Sequence, residues 1–212
     1  MKRIVGCLAG LLLAVALPVG AQTAETAIVP KAKVELFNGK DLTGWVAYHK
    51  TNVAVSSVWS VKDGLLGCVG KPNGYLRTDK AYANYKVTVE WRFAKPGNTG
   101  VLVHMNLPEK VWPLCVECQG MHKAQGDMYF WSGAKCNELV KPPKVGRKAP
   151  DAEKAVGEWN LYQVVCAGDT ITILVNGTEM NKTTGGSIRS GFIGLQCEGA
   201  QLEVKRVTLE PL

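Results

Sequence analysis

"YKVTVEWRFAKPGNTGVLVHM", residues Tyr85–Met105, decides the fold. Val87, Val89, Trp91 and Phe93 alternate with Thr88, Glu90 and Arg92, the two-residue period of a strand with one buried face. Ala94-Lys-Pro-Gly-Asn98 then breaks the pattern with turn residues. A second alternation follows, Val101, Val103 and Met105 against Leu102 and His104.

The same grammar runs along most of the chain. Val58–Val61 precedes Lys62-Asp-Gly64, Thr170–Val175 turns at Asn176-Gly177, and Leu114–Gln119, Trp159–Val165, Gly191–Leu195 and Leu202–Leu209 are further short runs. No segment keeps a helical period. Strands at this spacing with turn signals between them predict an all-β fold, an antiparallel β-sandwich of jelly-roll type. It is expected to occupy 34–212 as one domain, after a small and polar linker over 22–33.

Before that linker, Met1-Lys-Arg3 leads a small, apolar run from Ile4 to Val19 that closes on Val19-Gly20-Ala21. This is the pattern of a secretory signal peptide over 1–21, so an exported, periplasmic protein is expected. The run is short for a membrane span, and Cys7 lies near its start, whereas a lipid-bearing cysteine would follow it. No membrane attachment is expected after cleavage.

The 25 basic residues, less Lys2 and Arg3, stand against 18 acidic ones, a net charge of +5. They are scattered and belong to no nucleic-acid-binding motif, which argues for a solvated surface and no nucleic-acid partner. Beyond the signal peptide lie Cys68, Cys115, Cys118, Cys136, Cys166 and Cys197. An even count in an oxidising compartment favours disulfides. Cys115-x-x-Cys118 lacks the second close pair of a zinc ribbon. Its flanks read as strand, so its thiols point to opposite faces rather than forming a redox pair. Asn176-Gly-Thr178 and Asn181-Lys-Thr183 match the glycosylation sequon but read as turn residues.

Alternation gives three strands a polar face: Glu90 and Arg92 on the first, His104 on the second, Glu117 and Gln119 on the third. An ordinary solvent-facing sheet would look much the same. Acids, an amide, a guanidinium and an imidazole near Trp112 and Trp131 also suit a sugar, whose hydroxyls take hydrogen bonds and whose ring faces stack on aromatics. These residues are expected to converge on one concave sheet face with Trp131 near its rim, and "CVECQGMHKAQGDMYFWSG", Cys115–Gly133, to be a cleft-lining strand followed by an active-site loop, its cysteines fastening the loop rather than reacting.

Seven segments resemble one known family in its own order. They are "VELFNGKDLTGW" (Val34–Trp45), "WSVKDGLLGCVGKPNGYLRT" (Trp59–Thr78), "YKVTVEWRF" (Tyr85–Phe93), "GNTGVLVHM" (Gly97–Met105), "VWPLCVECQG" (Val111–Gly120), "GEWNLYQVVCAGDTITILVNG" (Gly157–Gly177) and "GFIGLQCEGAQLEVKRVTLEPL" (Gly191–Leu212). Together they resemble the 3-keto-disaccharide hydrolase domain family, a concanavalin A-like lectin/glucanase sandwich. The family's Glu-x-Gln matches Glu117-x-Gln119, and its Gly-Asp-aromatic segment loosely matches Gly126–Tyr129. Many members carry Asp-His after "GLQ"; this chain reads Cys197-Glu198, so a histidine's role there is lost or passes to Glu198.

The resemblance implies a carbohydrate substrate, a glycoside already oxidised to a ketone at carbon 3. The ketone acidifies the carbon-2 hydrogen, a base removes it, the group at carbon 1 leaves, and water adds back. This needs a base, a donor to the enolate oxygen and an acid for the leaving oxygen. Glu117 is the expected base, His104 or Arg92 the enolate donor, and Asp127 or Glu90 the acid. Gln119, His122, Trp131 and Glu198 are expected to bind substrate beside Glu90 and Arg92. No cofactor is expected; carboxylates with an imidazole could hold a divalent cation, but no ligand spacing here is diagnostic. Direct hydrolysis by Glu90 and Glu117 is weakened by Gln119 standing where a second acid would be. A non-catalytic, lectin-like sugar binder is the other reading, since one sandwich serves both. Nothing in the sequence speaks to oligomeric state.

Overall fold

Chain order sets out fifteen strands among the described residues, 26–212 of a computed structural model. The expected signal peptide, 1–21, and the first linker residues lie outside them. The first eight are β1 (Val34–Glu35), β2 (Trp45–His49), β3 (Trp59–Lys62), β4 (Leu65–Cys68), β5 (Gly74–Thr78), β6 (Tyr85–Phe93), β7 (Gly100–Asn106) and β8 (Leu114–Gln119). The rest are β9 (Met128–Trp131), β10 (Lys144–Val145), β11 (Asn160–Ala167), β12 (Thr170–Val175), β13 (Thr178–Thr183), β14 (Phe192–Cys197) and β15 (Leu202–Glu210). The fold is the expected antiparallel sandwich. One sheet runs β13-β12-β11-β6-β15-β4-β3, with β1 added to β15, and the other runs β10-β9-β8-β7-β14-β5-β2.

The alternation of β6 explains how the layers meet. Val87, Val89, Trp91 and Phe93 face inward and pack with Val101 and Val103 of β7 and with Val116 and Cys118 of β8. Fully burying such side chains contributes roughly 1.5–3 kcal/mol each. Gly120 ends β8 where a Cβ would lie 2.7 Å from the Trp91 ring, so the chain turns tightly over that indole. The Ala94–Thr99 connection is a crossover rather than a hairpin, because β6 and β7 belong to opposite sheets.

Local devices fix the turns and loops. Asn176 (φ 50°) and Gly177 (φ 87°) make the β12–β13 hairpin turn. Asn181 is buried and donates through Nδ2 to the carbonyls of Gly126 and Gly146, each at 3.1 Å, which ties two loops together and leaves no room for a glycan. Within the expected linker, Ile28 bridges to Tyr82, its N–H donating to the Ala81 carbonyl at 2.8 Å.

The cysteines depart from expectation: all six are free thiols, five buried and Cys136 half-buried. Alternation along β8 separates Cys115, on the outward side of the sheet, from Cys118, in the inter-sheet core with Cys166. There the thiols behave as small apolar fillers. Cys68 and Cys197 interact across the sandwich, which with burial pushes the Cys68 pKa up, while the Cys197 thiol donates to the Pro72 carbonyl at 3.4 Å. Among the described residues no helix is long and apolar enough to cross a membrane.

Candidate active site

A single register row crosses the outward face of the seven-stranded sheet. Arg77 of β5 pairs with Gly194 of β14, Gly194 with Leu102 of β7, Leu102 with Glu117 of β8, Glu117 with Tyr129 of β9, and Tyr129 with Lys144 of β10. Beside it, Tyr48 of β2 pairs with Tyr75, Tyr75 with Gln196, and Gly100 with Gln119. Leu102, Met105, Cys115 and Phe192 form an apolar patch on the same face. The sheet thus places one carboxylate among amides, aromatics and apolar side chains.

Glu117 is the centre of this arrangement. It is 2% exposed, Trp131 Nε1 donates to its Oε2 at 2.6 Å, and Gln119 Nε2 donates to its Oε1 at 3.1 Å. Gln119 is fixed in turn, its Oε1 accepting the Met121 N–H at 2.9 Å. Burial pushes the Glu117 pKa up to about 7; the Trp131 hydrogen bond opposes the rise and the charge of nearby Glu198 adds to it. A carboxylate that changes protonation near neutrality, held at both oxygens on a strand, can take and return a proton. Glu198, just past β14, accepts from Asn98 Nδ2 at 2.8 Å and Asn73 Nδ2 at 3.3 Å, and burial raises its pKa as well. Trp131 stacks between Trp112, at 5.3 Å, and Tyr129, at 5.7 Å.

Glu117, Gln119, Trp131 and Glu198 therefore lie together. Glu90 and Arg92 do not, which corrects the expectation of a shared face. They point outward from the opposite sheet, Glu90 paired with Lys205 at 2.6 Å and Arg206 at 3.2 Å, Arg92 with Glu203 at 2.6 Å and over the Trp159 ring. The crossover after β6 is the cause, since equal alternation on two sheets sends polar side chains to opposite sides of the sandwich.

His104 is also displaced. A bulge at φ 52° breaks the β7 register between Val103 and Asn106. The imidazole turns inward, fully buried, edge-on to Tyr85, with Nδ1 at 3.1 Å from the Ile188 carbonyl, while Met105 takes the outward direction. Burial lowers its pKa to about 4, so it is neutral at physiological pH.

Asp127 is committed to structure. Its Oδ2 pairs with Lys144 at 2.6 Å and its Oδ1 accepts the Arg147 N–H at 2.8 Å, fastening the β9 and β10 ends. His122 sits in the following loop with Nδ1 at 3.0 Å from Glu153.

Other polar side chains on this face were not singled out from the sequence. Arg77 Nε donates to Glu109 Oε1 at 2.6 Å, and the Tyr75 hydroxyl donates to Glu109 Oε2, so the segment after β7 is strapped onto β5. Gln196 stands between Tyr75 and Gly100, 1% exposed. The alternation of "GYLRT" and "FIGLQC" carried the signal for Tyr75, Arg77 and Gln196; nothing in the sequence pointed to Glu109. Among the described residues no group of three or more His, Cys, Asp or Glu side chains is arranged to hold a metal ion.

The antiparallel sandwich is a fold shared with glycosyl hydrolases and carbohydrate-binding modules. The chain belongs to the 3-keto-alpha-glucoside-1,2-lyase-like domain family, which matches residues 32–210. A 3-keto-disaccharide hydrolase of Bacteroides thetaiotaomicron is 28% identical over 76 residues, 32% of this chain and 26% of that protein, so the match spans about a quarter of the relative's length. Among solved structures, a protein of Parabacteroides distasonis provisionally described as a glycosyl hydrolase superimposes with a TM-score of 0.65 at 21% identity, over 85% of this chain and 94% of the other. The carbohydrate-binding module CBM66 of Bacillus subtilis superimposes with a TM-score of 0.59 at 10% identity, over 79% and 95% of the two chains. These two show the shared fold.

Proposed function

We propose that the protein cleaves 3-keto-glycosides by elimination followed by hydration, with Glu117 as the base. The observation that carries this reading is the buried Glu117 carboxylate, fixed by Trp131 and Gln119 with a pKa of about 7. Ionised Glu117 takes the carbon-2 proton, and the electron pair moves toward the carbon-3 oxygen. The enolate collapses to a carbon-1–carbon-2 double bond as the carbon-1–oxygen bond breaks, and the leaving oxygen takes a proton. Glu198 is the acid in this account, because burial favours its protonated form and it lies near enough for its charge to act on Glu117. The proton on Glu117 exchanges with solvent, water adds at carbon 1 and gives up a proton to Glu198, and Glu117 delivers the solvent-derived proton to carbon 2, giving net hydrolysis. Family membership supports the substrate class.

A second reading, a non-catalytic sugar binder, is favoured by the Trp112–Trp131–Tyr129 stack, which offers flat apolar surface to a sugar ring. One assay separates the two. Purified protein is given a 3-keto-glucoside with a chromogenic leaving group, beside the unoxidised glucoside. Release from the keto compound alone supports elimination, and release from both indicates a conventional glycosidase. Release from neither, with retention on a sugar column, indicates a binding module.

A further inference from the structure

We propose that Gln196 grips the carbon-3 oxygen of the substrate, its side-chain N–H donating to the ketone and more strongly to the enolate. This rests on the reading of Glu117 as the carbon-2 base. Carbon 2 and the carbon-3 carbonyl are adjacent, so the base and the enolate donor must converge on one edge of the sugar. Gly100 lies between the strands that carry Glu117 and Gln196. A Cβ on Gly100 would stand 3.2 Å from Glu117 Cγ and 3.4 Å from Gln196 Oε1. The missing side chain leaves a notch walled by these two residues.

Several donors on this face are already engaged. Trp131 and Gln119 donate to Glu117, Asn98 and Asn73 donate to Glu198, and Arg77 donates to Glu109 and to the Thr78 carbonyl. Gln196 lies against the Glu117 carboxylate, where its amide favours the ionised form, yet neither amide atom has a partner in hydrogen-bonding geometry, although both are buried. Buried amides are nearly always paired, so an unpaired one facing the proposed base is completed by a ligand oxygen. His104 Nε2 is also unpartnered, but it faces the other way, into the sandwich. The donation at Gln196 grows as negative charge develops on the carbon-3 oxygen, which is what a transition-state contact requires.

The test compares wild type with Gln196→Leu and Gln196→Glu on a 3-keto-glucoside. Steady-state rates are read together with washout of the carbon-2 hydrogen into D2O from the 3-keto sugar alone. The leucine variant is expected to lose roughly 10²–10³ in kcat, with KM changed far less and washout slowed in parallel. The glutamate variant keeps the shape, so it should fold even where the leucine variant does not. Relative to wild type at the same pH, it is expected to be as slow as the leucine variant at high pH and to close the gap toward low pH, where a protonated carboxyl can again donate. A purely structural role would lower thermal stability and the active fraction but leave the rate per active molecule and the pH profile as in wild type, which would overturn the proposal. Should wild type show neither cleavage nor washout, the reading of Glu117 fails first and this one with it. Should wild type cleave and both variants match it, the Gln196 assignment alone is wrong.

Discussion

The Trp131 indole N–H donates to Glu117 Oε2 at 2.6 Å, from the strand next to the one that carries the carboxylate. This bond favours ionised Glu117 against the burial that opposes it. Trp131→Phe keeps a stacking ring between Trp112 and Tyr129 but removes the donor. The Glu117 pKa should therefore rise, and the acid limb of the kcat profile should move to higher pH. A limb that stays in place would show that the bond does not tune the base.

Glu117 also couples stability to pH. Its pKa rises from the ordinary 4.5 to about 7 on folding, so the folded state holds a proton that the unfolded chain releases. The stability linked to this group is fully present below about pH 4.5 and is lost as pH rises through 7, a penalty on the order of 3 kcal/mol above that. Glu117→Gln should lose roughly two to four powers of ten in turnover while still binding ligand. In urea melts, its stability relative to wild type should improve steadily from pH 4.5 to 7 and then level off. A constant difference across that range would mean that Glu117 titrates normally.

Glu90 and Arg92 face away from the Glu117 side, in partly exposed ion pairs with Lys205, Arg206 and Glu203. Pairs of this kind contribute about 0–1 kcal/mol. Glu90→Ala and Arg92→Ala are expected to stay within about twofold of wild-type activity, with small losses of stability. A loss of 10² or more in kcat for either would contradict the topology.

Thiol chemistry checks the cysteine arrangement. Cys136 is half-buried, while Cys68, Cys115, Cys118, Cys166 and Cys197 are enclosed. Iodoacetamide on native reduced protein should label Cys136 first, and the other five should react only on unfolding. Peptide mapping that finds Cys118 or Cys166 modified early would contradict the inter-sheet packing.

The sandwich was legible because period-2 alternation and turn residues are local signals, as along Tyr85–Phe93 and at Asn176-Gly177. The placement of Glu117 and Gln119 followed from the same alternation. What failed was non-local. No residue in Ala94–Thr99 tells a hairpin from a crossover, so Glu90 and Arg92 were assigned to a face on the other side of the molecule. The bulge at His104 left no glycine or proline as a mark, and one extra residue reversed the direction of its side chain. The Glu109 strap depends on a tertiary contact to β5 that only the folded chain creates.

The most direct test of the account is cleavage of a 3-keto-glucoside in D2O, with the released sugar analysed by NMR at early times and corrected for spontaneous exchange. Proton abstraction by Glu117 followed by hydration predicts a deuteron at carbon 2 of the product, and none when Glu117→Gln is used at the same protein concentration. Cleavage by the wild-type protein that retains the original carbon-2 hydrogen would contradict elimination and point to direct displacement at carbon 1.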